Sequence, residues 1–260
     1  MRKIHVIGIG AGDPEQLTLQ AVRVLRSTDV FFVLDKGEVK SDLTRLRHDI
    51  LATHLPDGGY RLVEARDPER DRTAGGAAYS PAVGDWRSAR AGIYERLIAG
   101  ELGEDESGAF LVWGDPALYD STIGILEEIL DRRPGAFTYD VVPGVSSVSS
   151  LVARHRTGLN RVAGPVQITT GRRLAEGLPE GVDDVVVMLD AHQAFQRYAD
   201  QDIDIYWGAY IGTPDEILES GPIAEAAPRI TRLRAEARER KGWIMDTYLL
   251  RRNPGGRRRT

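Results

Sequence analysis

The 260-residue chain contains no cysteine. That absence excludes disulfides, thiolate zinc sites, iron–sulfur clusters and a cysteine nucleophile. Histidine is sparse as well: His5, His48, His54, His155 and His192 are scattered, with no HxH or HxxxH spacing. No metal site is expected from them, and each reads as structural or exposed. Long apolar runs are missing, since the longest strand-like stretches, 30–34 and 185–189, fall short of a bilayer span. No membrane partner is expected. Met1-Arg2-Lys3 passes straight into a strand pattern without an apolar leader, so a cytoplasmic location is the expectation. An excess of basic charge is lacking too, and the formal net charge of -5 argues against a nucleic-acid partner. Arg257-Arg258-Arg259 is the local exception, and segment 251–260 reads as a frayed basic tail.

What is present is ordinary for a globular protein: 42% hydrophobic and 28% charged residues. A buried strand over 3–9 ends in glycines. Asp13-Pro14 then opens a helix with Leu17, Leu19, Ala21, Val22 and Leu25 on its apolar face. A second buried strand spans 29–34, and this strand–turn–helix–strand order predicts a parallel α/β sheet. A helix over 44–55, a strand over 61–64, a helix over 86–99 and a strand over 109–113 follow. Between them, 65–87 is charged and then glycine-rich, and reads as a long inserted loop. Further along, the pattern predicts a helix over 121–130, a strand over 138–142 and a small-residue helix over 146–154. Strands are expected at 166–169, 184–189, 205–210 and 243–250. The expected organisation is an α/β domain over 1–115, a second over 116–250 and the tail, with the break near 115–120.

Three turns carry the chemistry. In Gly8-Ile9-Gly10-Ala11-Gly12-Asp13-Pro14, glycines allow a sharp turn and close backbone approach to a ligand. Asp13 stands where a dinucleotide fingerprint needs its last glycine, and a carboxylate there repels pyrophosphate. A plain turn with Asp13 as helix cap explains the same residues. Trp113-Gly114-Asp115-Pro116-Ala117-Leu118-Tyr119 ends an apolar strand, where open α/β sheets bind ligands. Taken alone it is a rigid turn. Val142-Pro143-Gly144-Val145-Ser146-Ser147 places two hydroxyls at a helix start, as helix caps would also require.

Together, a GxGxGD(P) turn, a later GDPxxY turn and a PGVSS turn resemble the tetrapyrrole methyltransferase family. The resemblance runs over most of the chain and continues in Val187-Met188-Leu189 and Gly212-Thr213-Pro214-Asp215-Glu216. Ala11 stands where many relatives have Pro, and Val187-Met188-Leu189 where many have Tyr-Met-Gly. It implies two α/β domains with a cofactor cleft between them, S-adenosylmethionine as methyl donor, S-adenosylhomocysteine as product, and a homodimer. The cofactor contacts it implies are Gly10, Ala11, Gly114, Asp115, Pro116, Leu118, Tyr119, Ser146, Ser147, Met188, Leu189, Gly212 and Thr213. Segments 31–37, 66–72, 207–216 and 243–248, with Trp86, are most similar to a corrin-pathway branch that methylates a precorrin with loss of an acetyl group.

That chemistry needs water activated against an acetyl carbonyl, then in-line attack of a ring carbon on the sulfonium methyl. Asp35 ends the second strand on the edge that carries the glycine turns, so it is the candidate general base. Lys36 is the candidate for polarising the departing acetyl oxygen or for holding a substrate carboxylate. An exposed Asp-Lys pair at a strand end is the plainer reading. The substrate carries several carboxylate arms, for which Arg66, Arg70 and Arg72 are candidate partners. Their alternation with Asp67, Glu69 and Asp71 describes a solvated loop equally well. Other readings at this level are a family member acting at a different ring carbon or on diphthine or ribosomal RNA, an NAD-dependent oxidoreductase, and a non-catalytic binding domain.

Overall fold

Apolar strands drawn from both ends of the first half assemble into one parallel sheet. The computed structural model describes residues 1–35, 37–68 and 79–253, in two compact units, Met1–Val145 and Ser146–Thr260. In the first unit the strands are β1 (Lys3–Gly8), β2 (Val30–Asp35), β3 (Arg61–Arg66), β4 (Ser107–Val112) and β5 (Thr138–Val142). Their order is β3-β2-β4-β1-β5, with every pairing parallel. The helices are α1 (Leu19–Leu25), α2 (Ser41–His54), α3 (Tyr79–Glu101) and α4 (Thr122–Arg132).

Alternation along the strands sends side chains to two cores. Ile4, Val6, Phe32, Phe110 and Val112 lie in one with Tyr94, Ile98, Ile125 and Ile129 from α3 and α4. Ile7, Phe31, Ala109, Leu111 and Val142 lie in the other with Ala21, Leu25, Ile50 and Leu51 from α1 and α2. Both faces being covered is why the central strands β1, β2 and β4 are mostly apolar.

The second unit holds α5 (Ser147–Arg154), β6 (Val166–Thr170), α6 (Gly171–Leu174), β7 (Asp184–Met188), β8 (Ile203–Ala209), β9 (Ile217–Pro222), α7 (Ile223–Lys241) and β10 (Asp246–Arg252). Its sheet runs β6-β7-β10-β8-β9, and only the β6–β7 pair is parallel. Among the described residues no helix is long and apolar enough to cross a membrane.

Several expectations shift. The break expected near 115–120 falls at Val145/Ser146, because β5 pairs with β1 and so belongs to the first sheet. Helix α3 begins at Tyr79, inside the segment read as loop. The helix expected after Asp13-Pro14 is a short 3-10 turn, Pro14–Gln16, and α1 starts only after Thr18, whose side chain accepts from the Ala21 N–H. The strand β9 and the helix α7 have no counterpart in the sequence reading.

Candidate functional site

The strand order places a switch point between β1 and β4. The chain leaves β1 toward β2 and leaves β4 toward β5, on opposite sides, so the two strand ends open a crevice at the carboxyl edge. The first two glycine turns meet there. The Gly114 N–H donates to the Gly10 carbonyl at 2.7 Å, and the Gly10 N–H donates back to the Gly114 carbonyl at 3.4 Å. Both residues have positive φ, 80° and 73°, which glycine tolerates without a Cβ penalty. The third turn packs against both of the others. A Cβ on Gly144 would lie 2.1 Å from the Gly114 carbonyl oxygen and 2.9 Å from the Gly8 Cα.

Side chains finish these turns. The Asp13 carboxylate accepts from the Glu15 N–H at 2.9 Å as an N-cap, and the buried Ala11 N–H donates to Gln16 Oε1 at 3.2 Å. Asp115 Oδ1 accepts from the Ala117 N–H at 2.7 Å, closing the Asp115-Pro116-Ala117 turn. Pro116 is buried, Leu118 half-buried and Tyr119 exposed, the last at φ 51°. Trp113, just before Gly114, has a buried indole Nε1 with no hydrogen-bond partner among the described residues. Asp35 ends β2 on the same carboxyl edge, where its Oδ1 accepts from the Gly37 N–H at 2.9 Å.

Of the expected substrate arginines, Arg66 ends β3 and is exposed. Lys36, Arg70 and Arg72 lie outside the described residues.

The sequence reading missed a charged cluster on this edge. Arg90 of α3 is ion-paired with Asp67 at 2.9 Å, both side chains 9% exposed, and donates to Ser121 Oγ at 3.2 Å. Its guanidinium lies over the rings of Trp86 (5.0 Å) and Tyr94 (5.6 Å). Trp86 Nε1 donates to the Pro68 carbonyl at 3.1 Å, so one turn of α3 grips the Asp67-Pro68 segment. Arg47 of α2 donates through Nε to the Leu111 carbonyl (3.0 Å) and through Nη1 to the Leu43 carbonyl (2.7 Å). Burial lowers its pKa to about 10. The signal available was weak, because an arginine in the middle of an amphipathic helix reads as solvated surface by default.

In the second unit, Ser146 is the N-cap of α5, its Oγ accepting from the Ser149 N–H at 3.1 Å, and Ser147 is the first helical residue. β7 and β8 both run antiparallel to β10, so their carboxyl ends share an edge, and Met188 and Gly208 flank Thr247 from either side. Leu189 follows at φ 55° and is 64% exposed. The buried Asp190 anchors this turn by accepting from the His192 N–H (3.0 Å), the Ala194 N–H (2.6 Å) and the Tyr248 hydroxyl (2.6 Å). Arg234 ties α7 to the same place, donating to the Asp190 carbonyl and pairing with Asp246 Oδ2, each at 3.0 Å. Burial raises the Asp246 pKa, against the pull of Arg234 and of the Trp207 indole N–H, which also donates to it. After β8, the Gly212 N–H donates to Glu216 Oε2 (2.7 Å), and the Thr213 hydroxyl donates to the Tyr210 carbonyl (2.7 Å). Glu216 is also paired with Arg154 of α5 at 3.2 Å.

The first unit thus draws Gly10, Ala11, Gly114, Asp115, Pro116, Leu118 and Tyr119 together around two bonded turns. The second gathers Met188, Leu189, Gly212 and Thr213 on one sheet edge. Among the described residues no group of His, Asp and Glu is arranged to hold a metal ion.

The sequence profile of tetrapyrrole (corrin/porphyrin) methylases matches residues 3–227. A precorrin-6A synthase [deacetylating] of Sinorhizobium sp is 53% identical over 251 residues, covering 96% of this chain and 95% of its own. A crystal structure described as a cobalamin synthesis related protein (CobF) from Corynebacterium diphtheriae superimposes with TM-score 0.81 at 38% identity, over 96% of this chain and 98% of its own. The uroporphyrin-III C-methyl transferase of Thermus thermophilus, solved in complex with S-adenosylhomocysteine, shares the fold with TM-score 0.53 at 18% identity, over 95% of this chain and 96% of its own.

Proposed function

The chain belongs to the tetrapyrrole (corrin/porphyrin) methylase family, and from that premise we propose that it methylates precorrin-5 at C-1 with loss of acetate. The balanced reaction is precorrin-5 plus S-adenosylmethionine and water giving precorrin-6A, acetate, S-adenosylhomocysteine and two protons. The relative at 53% identity supports this choice within the family, and the agreement spans nearly the whole of both chains.

The observation that carries the methyl-donor site is the reciprocal Gly10–Gly114 bonding with Gly144 packed on both. The three turns pack backbone on backbone, with no room for a Cβ at Gly8 or Gly144. Main-chain groups at glycine turns of this kind suit a cofactor that approaches the backbone closely. When bound, S-adenosylmethionine supplies an electrophilic sulfonium methyl. Gly10, Ala11 and the Gly114–Tyr119 turn of the first unit would hold it.

Asp35 takes the proton from the water that attacks the acetyl carbonyl, and Lys36 steadies the oxyanion that results. Cleavage releases acetate and leaves the electron pair on the ring carbon that accepts the methyl group. Arg66, Arg70 and Arg72 bind carboxylate arms of the substrate. The active form is a homodimer.

Incubation with S-adenosylmethionine and precorrin-5 tests the reading. The product is expected to gain one methyl and lose one acetyl by mass, with acetate and S-adenosylhomocysteine released. A methyl gained without deacylation would move the protein to another ring position. Binding of NADH in place of S-adenosylhomocysteine would return it to the oxidoreductases.

A further inference from the structure

The first sheet opens partway along. β2 pairs with β4 only from Val30↔Gly108 to Phe32↔Phe110. Beyond that level β2 continues beside β3 to Asp35↔Arg66, while β4 continues beside β1 to Val112↔Gly8. The two strands therefore end with a gap between them on the carboxyl edge. The Val112 carbonyl accepts from the Ile9 N–H at 2.9 Å, on the β1 side. Successive carbonyls alternate along a strand, so the Leu111 carbonyl faces β2 across the gap. Its partner is Arg47 Nε, at 3.0 Å, reaching in from α2.

We propose that this gap is a carboxylate subsite, floored by the Arg47 guanidinium, which takes one acetate or propionate arm of the tetrapyrrole. The inference rests on the methylase reading above and names the group that meets the substrate. Arg47 uses Nε and one Nη1 proton on backbone carbonyls, leaving three of its five N–H groups without a partner among the described residues. A guanidinium held in this way presents the fork that matches a carboxylate.

The neighbouring carboxylates are engaged elsewhere: Asp67 with Arg90 at 2.9 Å, and Asp120 Oδ1 with the Thr122 N–H at 2.7 Å. Arg47 therefore has no carboxylate in contact among the described residues, and the nearby Arg90 has its charge matched by Asp67. The Arg47 side chain is only half-buried although protein surrounds it closely enough to depress its pKa. A cation so placed, with N–H groups to spare, is suited to pair with an incoming carboxylate. Covering one orphaned carbonyl needs a single donor, and the remaining fork is surplus to that structural task.

Calorimetric titration with the stable corrin heptacarboxylate cobyrinic acid, its heptamethyl ester and S-adenosylhomocysteine tests the subsite. Arg47→Gln is expected to weaken cobyrinic acid about tenfold or more. Binding of the ester and of S-adenosylhomocysteine should stay as in the wild type. Arg47→Lys, which keeps the charge but not the fork, should fall between, and it serves as the readout if Arg47→Gln fails to fold. Equal affinity of wild type and variant for cobyrinic acid would overturn the subsite while leaving the methylase reading in place. Wild type that binds S-adenosylhomocysteine but no corrin acid would overturn both the subsite and the substrate it rests on.

Discussion

Gly10 and Gly114 bond each other through their backbones in both directions, 2.7 Å one way and 3.4 Å the other, from turns that end two neighbouring strands. Gly144 fills the space left over, its Cα backed by the Gly8 backbone and the Gly114 carbonyl. Gly144→Ala should therefore force the two bonded turns apart, at a cost of about 1–3 kcal/mol, a typical figure for overpacking a tight site. S-adenosylhomocysteine affinity should fall with it. Thermal melting and calorimetry check this, and a variant that melts and binds like the wild type would show that the crevice yields.

How much of this was legible beforehand follows from what each residue depends on. The three turns could be found because glycine, proline and aspartate act locally, and β5 was bounded correctly at Thr138–Val142. That β5 lies beside β1 is a non-local pairing, and the unit boundary moved with it. Helix α7 was hidden by Pro228 within it and by a charged run, Arg232 to Lys241, whose buried side holds Arg234 and the small Ala237. Arg47 could not be singled out, because its role depends on where two strands part.

Arg234 and Asp246 form a buried pair, 7% and 6% exposed in their side chains, and Trp207 donates to the same carboxylate oxygen. Arg234→Met leaves a buried carboxylate without its cation, and should cost about 3–5 kcal/mol in urea unfolding. Adding Asp246→Leu to the same variant should recover most of that loss. No recovery would mean that the contact of Arg234 with the Asp190 carbonyl, or that of the Trp207 indole with Asp246, carries the effect.

Asp215 lies below its ordinary value of 3.8, held there by the hydrogen bond from Lys241 against the opposing effect of burial. Well above pH 4 the carboxyl is ionised folded and unfolded alike, and the stabilisation is complete. As pH falls toward the lowered folded value, the unfolded chain takes up the proton first and the stabilisation is lost. The melting temperature should therefore decline below about pH 4, and Lys241→Met should flatten that decline. A profile of unchanged slope in the variant would remove Asp215 from the acid response.

Asp35→Asn keeps an oxygen to accept from the Gly37 N–H but removes the base. The rate of acetate release should fall by about 10²–10⁴-fold, with S-adenosylhomocysteine affinity unaltered. Near-normal release would assign water activation to another group.

The position of β1 also bears on how the chain assembles as it is synthesised. This strand is made before the others of its sheet, yet its partners, β4 at Lys3↔Ser107 and β5 at Lys3↔Thr138, are made much later. Until then only β2 and β3 can pair, and Ile4, Val6 and Ile7 have no sheet to enter. Long-range pairing of this kind is slow and leaves apolar segments open to wrong partners in the meantime. The nascent chain is therefore most exposed to aggregation before residue 107 emerges, and a pause in translation there lengthens the interval in which a chaperone is needed.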